Sequence, residues 1–292
     1  MVRLLGIWLL VSQAVWALES SSFAHRAQKQ MQIARYPEAL QLFARALKAS
    51  AKEADVLGEQ RIRLDMARVY FYAQDSVSLA QIVAPLHESE MDNTTRLSYA
   101  LFRMEVANSK GNSTEAIQYF QGVSKLLEDC ENDLLHGSLL LEMAVAKAQQ
   151  SELEAELLEQ AEDLLDDESP GRWHWALARI AETQEKFGEA IEHLEKSLRF
   201  AQQKQPGAMV GILLAHQAKL QAKSDTDLSA ATWERVVKLY EQLRLENPLL
   251  AAADQLKVIR GELPHDIAML VAFLRKVEPE TTNNSPEDSH DP

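Results

Sequence analysis

The chain has 292 residues, 46% hydrophobic and 25% charged, the ordinary proportions of a globular protein. Its 44 acidic residues against 30 basic ones leave a formal charge of −14, and no basic stripe offsets it, which argues against nucleic acid and anionic lipid as partners. One cysteine, Cys130, excludes an intramolecular disulfide, and long stripes of Ala, Leu, Gln, Glu and Lys with few Gly and Pro point to an all-α chain.

The first 17 residues, MVRLLGIWLLVSQAVWA, carry one Arg and then an apolar run from Leu4 to Val11. That run is shorter than the roughly 20 apolar residues of a spanning helix. Val15 and Ala17 are small enough for a signal-peptidase site, so the expectation is a secretory signal cut after Ala17, with an uncleaved anchor as the alternative. Phe23, Ala24 and Ala27 to Ile33 then form a helical pattern, and Tyr36-Pro37-Glu38-Ala39 opens the next, where proline suits a first turn. Ala39, Phe43, Ala46 and Leu47 give that second helix one apolar face.

The same two-helix sentence recurs downstream. Ile62, Leu64, Ala67, Val69 and Tyr70 precede a turn at Gln74-Asp75-Ser76, followed by Val77, Leu79, Val83 and Leu86. Leu97, Leu101, Met104 and Ala107 precede a turn at Lys110-Gly111-Asn112, where Gly111 accepts a left-handed backbone, and Ala116, Ile117, Phe120 and Val123 follow. A fourth pair covers 134–149 and 153–165. The clearest covers 173–198, with Trp173, Leu177, Ile180 and Ala181 before a turn at Lys186-Phe187-Gly188, and Phe187, Ala190, Ile191, Leu194 and Leu198 after it. A sixth covers 209–223 and 230–245, stopped by Asn247-Pro248. A last pair, 249–259 and 263–277, is expected to cap the array, and 278–292 has no apolar periodicity. Taking Ala39, Leu79, Ala116, Ala190 and Ala231 as equivalent gives steps of 37 to 41 residues, with a double step between Ala116 and Ala190.

A small residue followed four later by a bulky one, Ala190 then Leu194, in the second helix of a helix–turn–helix resembles the tetratricopeptide repeat (TPR), whose period is about 34 residues. The longer steps mark this array as divergent. The resemblance implies an all-α, right-handed solenoid of about six helix pairs plus a cap. It also implies that the first helix of each pair lines a concave groove that binds peptides or partner helices. Carried onto this chain, the groove would present Arg61, Arg68, Tyr72, Glu105, Arg172, Trp175, Arg179 and Glu182. Arginine and aromatic residues on a rigid wall are good anchors for a partner. Tyr72 and Trp175 read equally well as packing between repeats. The Lys and Asn pattern by which some members of the family clamp a C-terminal carboxylate is missing here.

No constellation of nucleophile, base and orienting group stands out, and no metal or cofactor motif is present. Glu189 and His193 lie one turn apart, a ligand pair or simply a solvated face. Cys130 reads as a thiol in a helix or, in an exported chain, as an intermolecular link. The stretch from Ser151 to Glu168 carries nine acidic residues and no basic one beside a leucine stripe, which suits either a solvated outer face or a dock for a basic partner. These readings lead to a non-catalytic scaffold of the cell envelope, expected in the periplasm, that binds another protein or peptide through the concave groove and has no cofactor or metal. The alternatives are a self-associating assembly factor and a small-ligand (for example glycan) binding protein. A deep aromatic pocket holding titratable groups would favour the last of these.

Overall fold

The structure, a computed structural model, describes residues 19–165, 169–204 and 207–277. The expected signal segment and the acidic tail from 278 onward lie outside these residues, as do 166–168 at the end of the acidic stretch. Fourteen α-helices and one short 3-10 helix (Glu88–Glu90) make up the described chain, which contains no strand. The first helix, α1, spans 19–32. It is followed by α2 (Tyr36–Glu53), α3 (Val56–Tyr72), α4 (Ser76–Val83), α5 (Asn93–Ser109), α6 (Ser113–Leu127) and α7 (Asp133–Gln149). Then come α8 (Ala155–Leu165), α9 (Pro170–Thr183), α10 (Phe187–Lys204), α11 (Ala208–Gln221), α12 (Thr226–Gln242), α13 (Glu246–Arg260) and α14 (His265–Val277). None of them is long and apolar enough to cross a membrane.

The turns explain why the helices start where they do. A residue with left-handed backbone stands between α1 and α2 (Ala34), α3 and α4 (Gln74), α5 and α6 (Gly111), α7 and α8 (Ser151), and α9 and α10 (Glu185). A capping residue follows it directly in several cases. Asp75 accepts from Ser78 N at 3.0 Å and Asn112 from Glu115 N at 3.4 Å, and Asp55, Asp92, Asn132 and Asp225 cap other helices in the same way. Each side chain satisfies one of the amide groups a helix start leaves without an intrahelical partner. The turn expected at Lys186-Phe187-Gly188 therefore falls earlier, on Glu185, and Phe187 already begins α10. Likewise Asn247-Pro248 does not stop a helix. Leu243 and Arg244 end α12, and Pro248 sits in the first turn of α13, where its missing N–H costs nothing.

The fourth residue of α2, α6, α10 and α12 is small, which lets these helices approach their neighbours. Ala39, Ala116 and Ala190 are fully buried, as is Ser229, whose hydroxyl donates to Ala218 O at 2.8 Å. Ser229 thus holds the place that sequence spacing gave to Ala231, which is exposed. Phe43 and Leu194, also fully buried, fill the adjoining space.

Helices α3, α5, α7 and α9 pack side by side in an inner row, α2, α6 and α10 are laid against α3, α5 and α9, and α12 packs between α11 and α13. The row curves. Ala208 N at the start of α11 donates to the Tyr36 hydroxyl at the start of α2, 172 residues earlier, at 2.8 Å. The main core accordingly joins the first helices to the last, Tyr36 and Phe43 sharing it with Leu213, Trp233 and Tyr240. Two further clusters fill the middle, one among α5, α6 and α7 and one among α7, α8 and α9.

Candidate functional site

The curve gathers polar side chains of the inner row onto one face. On α9, Arg172, Trp175, Arg179 and Glu182 recur at steps of three and four, so they form one stripe along the helix. Each charged member finds its partner on a neighbouring helix. Arg172 Nη1 donates to Glu105 Oε1 of α5 at 2.8 Å. Arg179 Nη1 donates to both oxygens of Glu142 of α7, at 2.8 and 3.1 Å. Glu182 Oε2 meets His216 Nε2 of α11 at 2.6 Å, a contact that holds the Glu182 carboxyl below its ordinary range. The Arg179 guanidinium also lies 5.0 Å from the centre of the Trp175 ring, a cation–π distance.

Glu142 is the deepest of these groups, 2% exposed, and its carboxylate is further satisfied by Asn108 Nδ2 at 2.8 Å. Asn108 Nδ2 donates to the Glu142 main-chain oxygen as well, and Gln149 Nε2 donates to Asn108 O at 3.1 Å. These bonds fix which way both amides point, because reversing Asn108 would set its oxygen against a carboxylate. Three buried polar atoms around them have no protein partner: Asn108 Oδ1, Gln149 Oε1 and Trp175 Nε1.

All three of those residues line a single cavity of about 620 Å³, together with Tyr72, Glu105, Arg179, Glu182 and His216 and an apolar side made by Phe71, Met209, Ile212 and Tyr240. Its size is that of a ligand site. Burial, reinforced by the charge of Glu105, pushes the Tyr72 hydroxyl up to about 12, so it stays protonated as a donor at neutral pH. This wall presents one indole N–H, two amide oxygens, a phenol and the charged side chains of Glu105, Arg179 and Glu182 on aromatic and aliphatic backing.

Of the eight residues expected on the groove, five line this cavity and Arg172 stands beside it, lining an adjoining chamber with Trp175. Two do not join. Arg61, at the start of α3, pairs with Asp92, the capping residue of α5, and its side chain stays 55% exposed. Arg68 lies 3.6 Å from Asp65 on its own helix. Trp175 and Tyr72 pack partly against the main core and also line the cavity.

Sequence reasoning missed Asn108, Glu142, Gln149, His216 and Tyr240. Only Glu142 left a signal, a lone carboxylate inside Leu139–Ala146, otherwise wholly apolar. His193, expected beside Glu189, instead meets His174 of α9, Nδ1 to Nδ1 at 3.2 Å. Among the described residues no group of three or more His, Cys, Asp or Glu is placed to hold a metal. Cys130 is half-buried near the start of α7, 3.6 Å from Asn132 O. No family model matches the chain, and no curated protein sequence does.

Proposed function

We propose that this chain is an exported, non-catalytic scaffold of the cell envelope that binds a short extended segment of another protein. In this reading the inner row is the concave face of a divergent TPR-like, right-handed α-solenoid of about six helix pairs with α13 and α14 as its cap. The signal would be removed after Ala17, and the mature chain would work in the periplasm. The carrying observation is the convergence of three partnerless buried polar atoms, on Asn108, Gln149 and Trp175, about one cavity. Buried polar atoms without partners are costly, and a bound main chain supplies the donors and acceptor they lack. An extended segment keeps its main-chain N–H and C=O groups free for such contacts, whereas a helix uses them internally, which favours an extended segment over a helix.

The test is selection of a random 12-residue peptide library on the chain and on a Ser109→Trp/Thr183→Trp variant. Both positions are exposed and stand at the cavity wall, so the indoles would obstruct it without entering the core. Binders selected by the native chain and lost by the variant support the reading; binders indifferent to it refute it. A second reading, a small-molecule binding protein, is favoured by the aromatic residues and titratable groups sharing the cavity. A stoichiometric adduct of small mass on the natively purified chain, removed by the same variant, would select it.

A further inference from the structure

Trp175 and Met209 belong to two walls. Besides the polar cavity, they line a second chamber of about 390 Å³ between α9, α10 and α11. Phe200 and Ala201 from α10 and Leu213 from α11 give it an apolar side, and Ser169, Arg172, Ser197 and Gln203 a polar one. The two chambers adjoin through Trp175 and Met209, so one bound segment can reach both. The junction between the two carries the unpartnered indole N–H of Trp175, and the polar side carries Asn108, only 4% exposed, with its Oδ1 unpartnered.

We infer that the chamber is an anchor pocket: it takes one bulky apolar side chain, Phe, Trp, Leu or Met, of the bound segment. The main chain of that segment then continues into the larger cavity. There its N–H groups donate to Asn108 Oδ1 and Gln149 Oε1, and a carbonyl accepts from Trp175 Nε1. The inference rests on the peptide-binding reading above. It adds selectivity to it, because main-chain contacts alone do not discriminate sequences, whereas a desolvated apolar pocket does. Arg172 gives Nη1 to Glu105, and a guanidinium has five N–H donors, so the carbonyl next to the anchor has a second donor at hand.

The experiment uses the peptides selected above and two variants. Ala201→Phe fills the chamber from its wall, and Met209→Ala enlarges it at the junction. Selected peptides are expected to share one large apolar position. Replacing that residue by Ala should weaken Kd about tenfold or more on the native chain, as hot-spot anchors do. On Ala201→Phe the parent peptide should already bind about tenfold more weakly, and its Ala version scarcely worse. Met209→Ala should shift the preferred residue from Leu toward Trp, a gain of function that a misfolded variant cannot imitate. Peptides that bind without a large apolar position, or an anchor equally important on native and filled chains, would overturn the pocket while leaving the peptide-binding reading intact. Failure to select any peptide would remove both.

Discussion

Helices α7 and α8 are consecutive and packed on each other, yet they are built to opposite plans. Twelve of the seventeen residues of α7 are buried, against two of the eleven in α8. The outer helix offers one leucine stripe to its neighbours and turns Glu156, Glu159, Glu162 and Asp163 to solvent. The inner helix is enclosed by α5, α6, α8 and α9, so almost any residue on it must be apolar, and its one buried acid must be paired. Outer helices supply stability through area removed from water. Inner helices supply that and also line the cavity, whose charges are held in register by partners on adjacent helices.

The largest expected loss comes from breaking an inner pair. In Arg179→Leu, the Glu142 carboxylate, 3% exposed as a side chain, keeps Asn108 but loses its counter-charge. Leaving one member of a buried pair costs about 3–5 kcal/mol, whereas replacing both by apolar residues is often close to neutral. Urea unfolding should therefore show a large fall for Arg179→Leu and recovery of most of it in Glu142→Leu/Arg179→Leu. A single variant no worse than the double would mean that the pair is not what holds α7 to α9. Next in size is Gly211→Ala on α11. A Cβ there would stand 2.5 Å from Cε1 of the Tyr240 ring, 2.6 Å from its Cζ and 2.8 Å from its hydroxyl. Overpacking of this kind costs about 1–3 kcal/mol. Since Tyr240 also lines the cavity, peptide affinity should fall along with stability.

The contrast between the rows also decides what could be read before the fold was known. The stripes of α2, α8 and α10 stand out because one side of each meets water, and periodicity detects just that asymmetry. Ala190 and Leu194 carried the repeat register for the same reason. Inner helices blur it: α7 reads as apolar on nearly every side, so its end is marked by the left-handed Ser151 and not by its stripe. The stripe of α9 was legible from spacing. Its partners Glu105, Glu142 and His216 are 67, 37 and 34 residues away from the groups they meet, distances that only the packed fold resolves. Arg61 and Arg68 share the face of α3 that carries Tyr72, at steps of seven and four, but they lie about three turns and one turn nearer the helix start, where they pair with Asp92 and Asp65 outside the cavity lining.

His174 and His193 sit where the rows meet, on α9 and α10, and give a smaller, pH-dependent effect. Burial is the main cause that lowers both; each ring also feels Lys196, and His174 feels His193 and Arg199, while Glu189 and Glu192 oppose the shift at His193. Below the ordinary histidine value of 6.5 the unfolded chain then binds more protons than the folded one. The stability these rings contribute is complete above 6.5 and is lost as pH falls below it. Thermal melts between pH 7.5 and 5.5 should show the native Tm falling and His193→Gln falling less. His136, lowered by burial too, keeps part of the slope in the variant. Parallel slopes would show that the pair is not the coupling group.

The smallest effect should come from the outer face of α8. Glu159 and Asp163 are exposed and one turn apart, and the lysine nearest this segment, Lys147, pairs instead with Glu152 and Glu154 at 3.5 and 3.0 Å. Reversing both, in Glu159→Lys/Asp163→Lys, touches no packed atom and reduces the net negative charge. The change in unfolding free energy should stay within about 0.5 kcal/mol, as for surface substitutions away from caps and cores, and it should shrink further in salt, which screens exposed charges. Affinity for the selected peptides should not move, because the cavity is walled by other helices. If the reversal instead abolished capture of a partner while leaving peptide binding intact, the acidic face of α8 would be a second docking surface. The division into a recognising inner row and a merely solvated outer one would then fail at this helix.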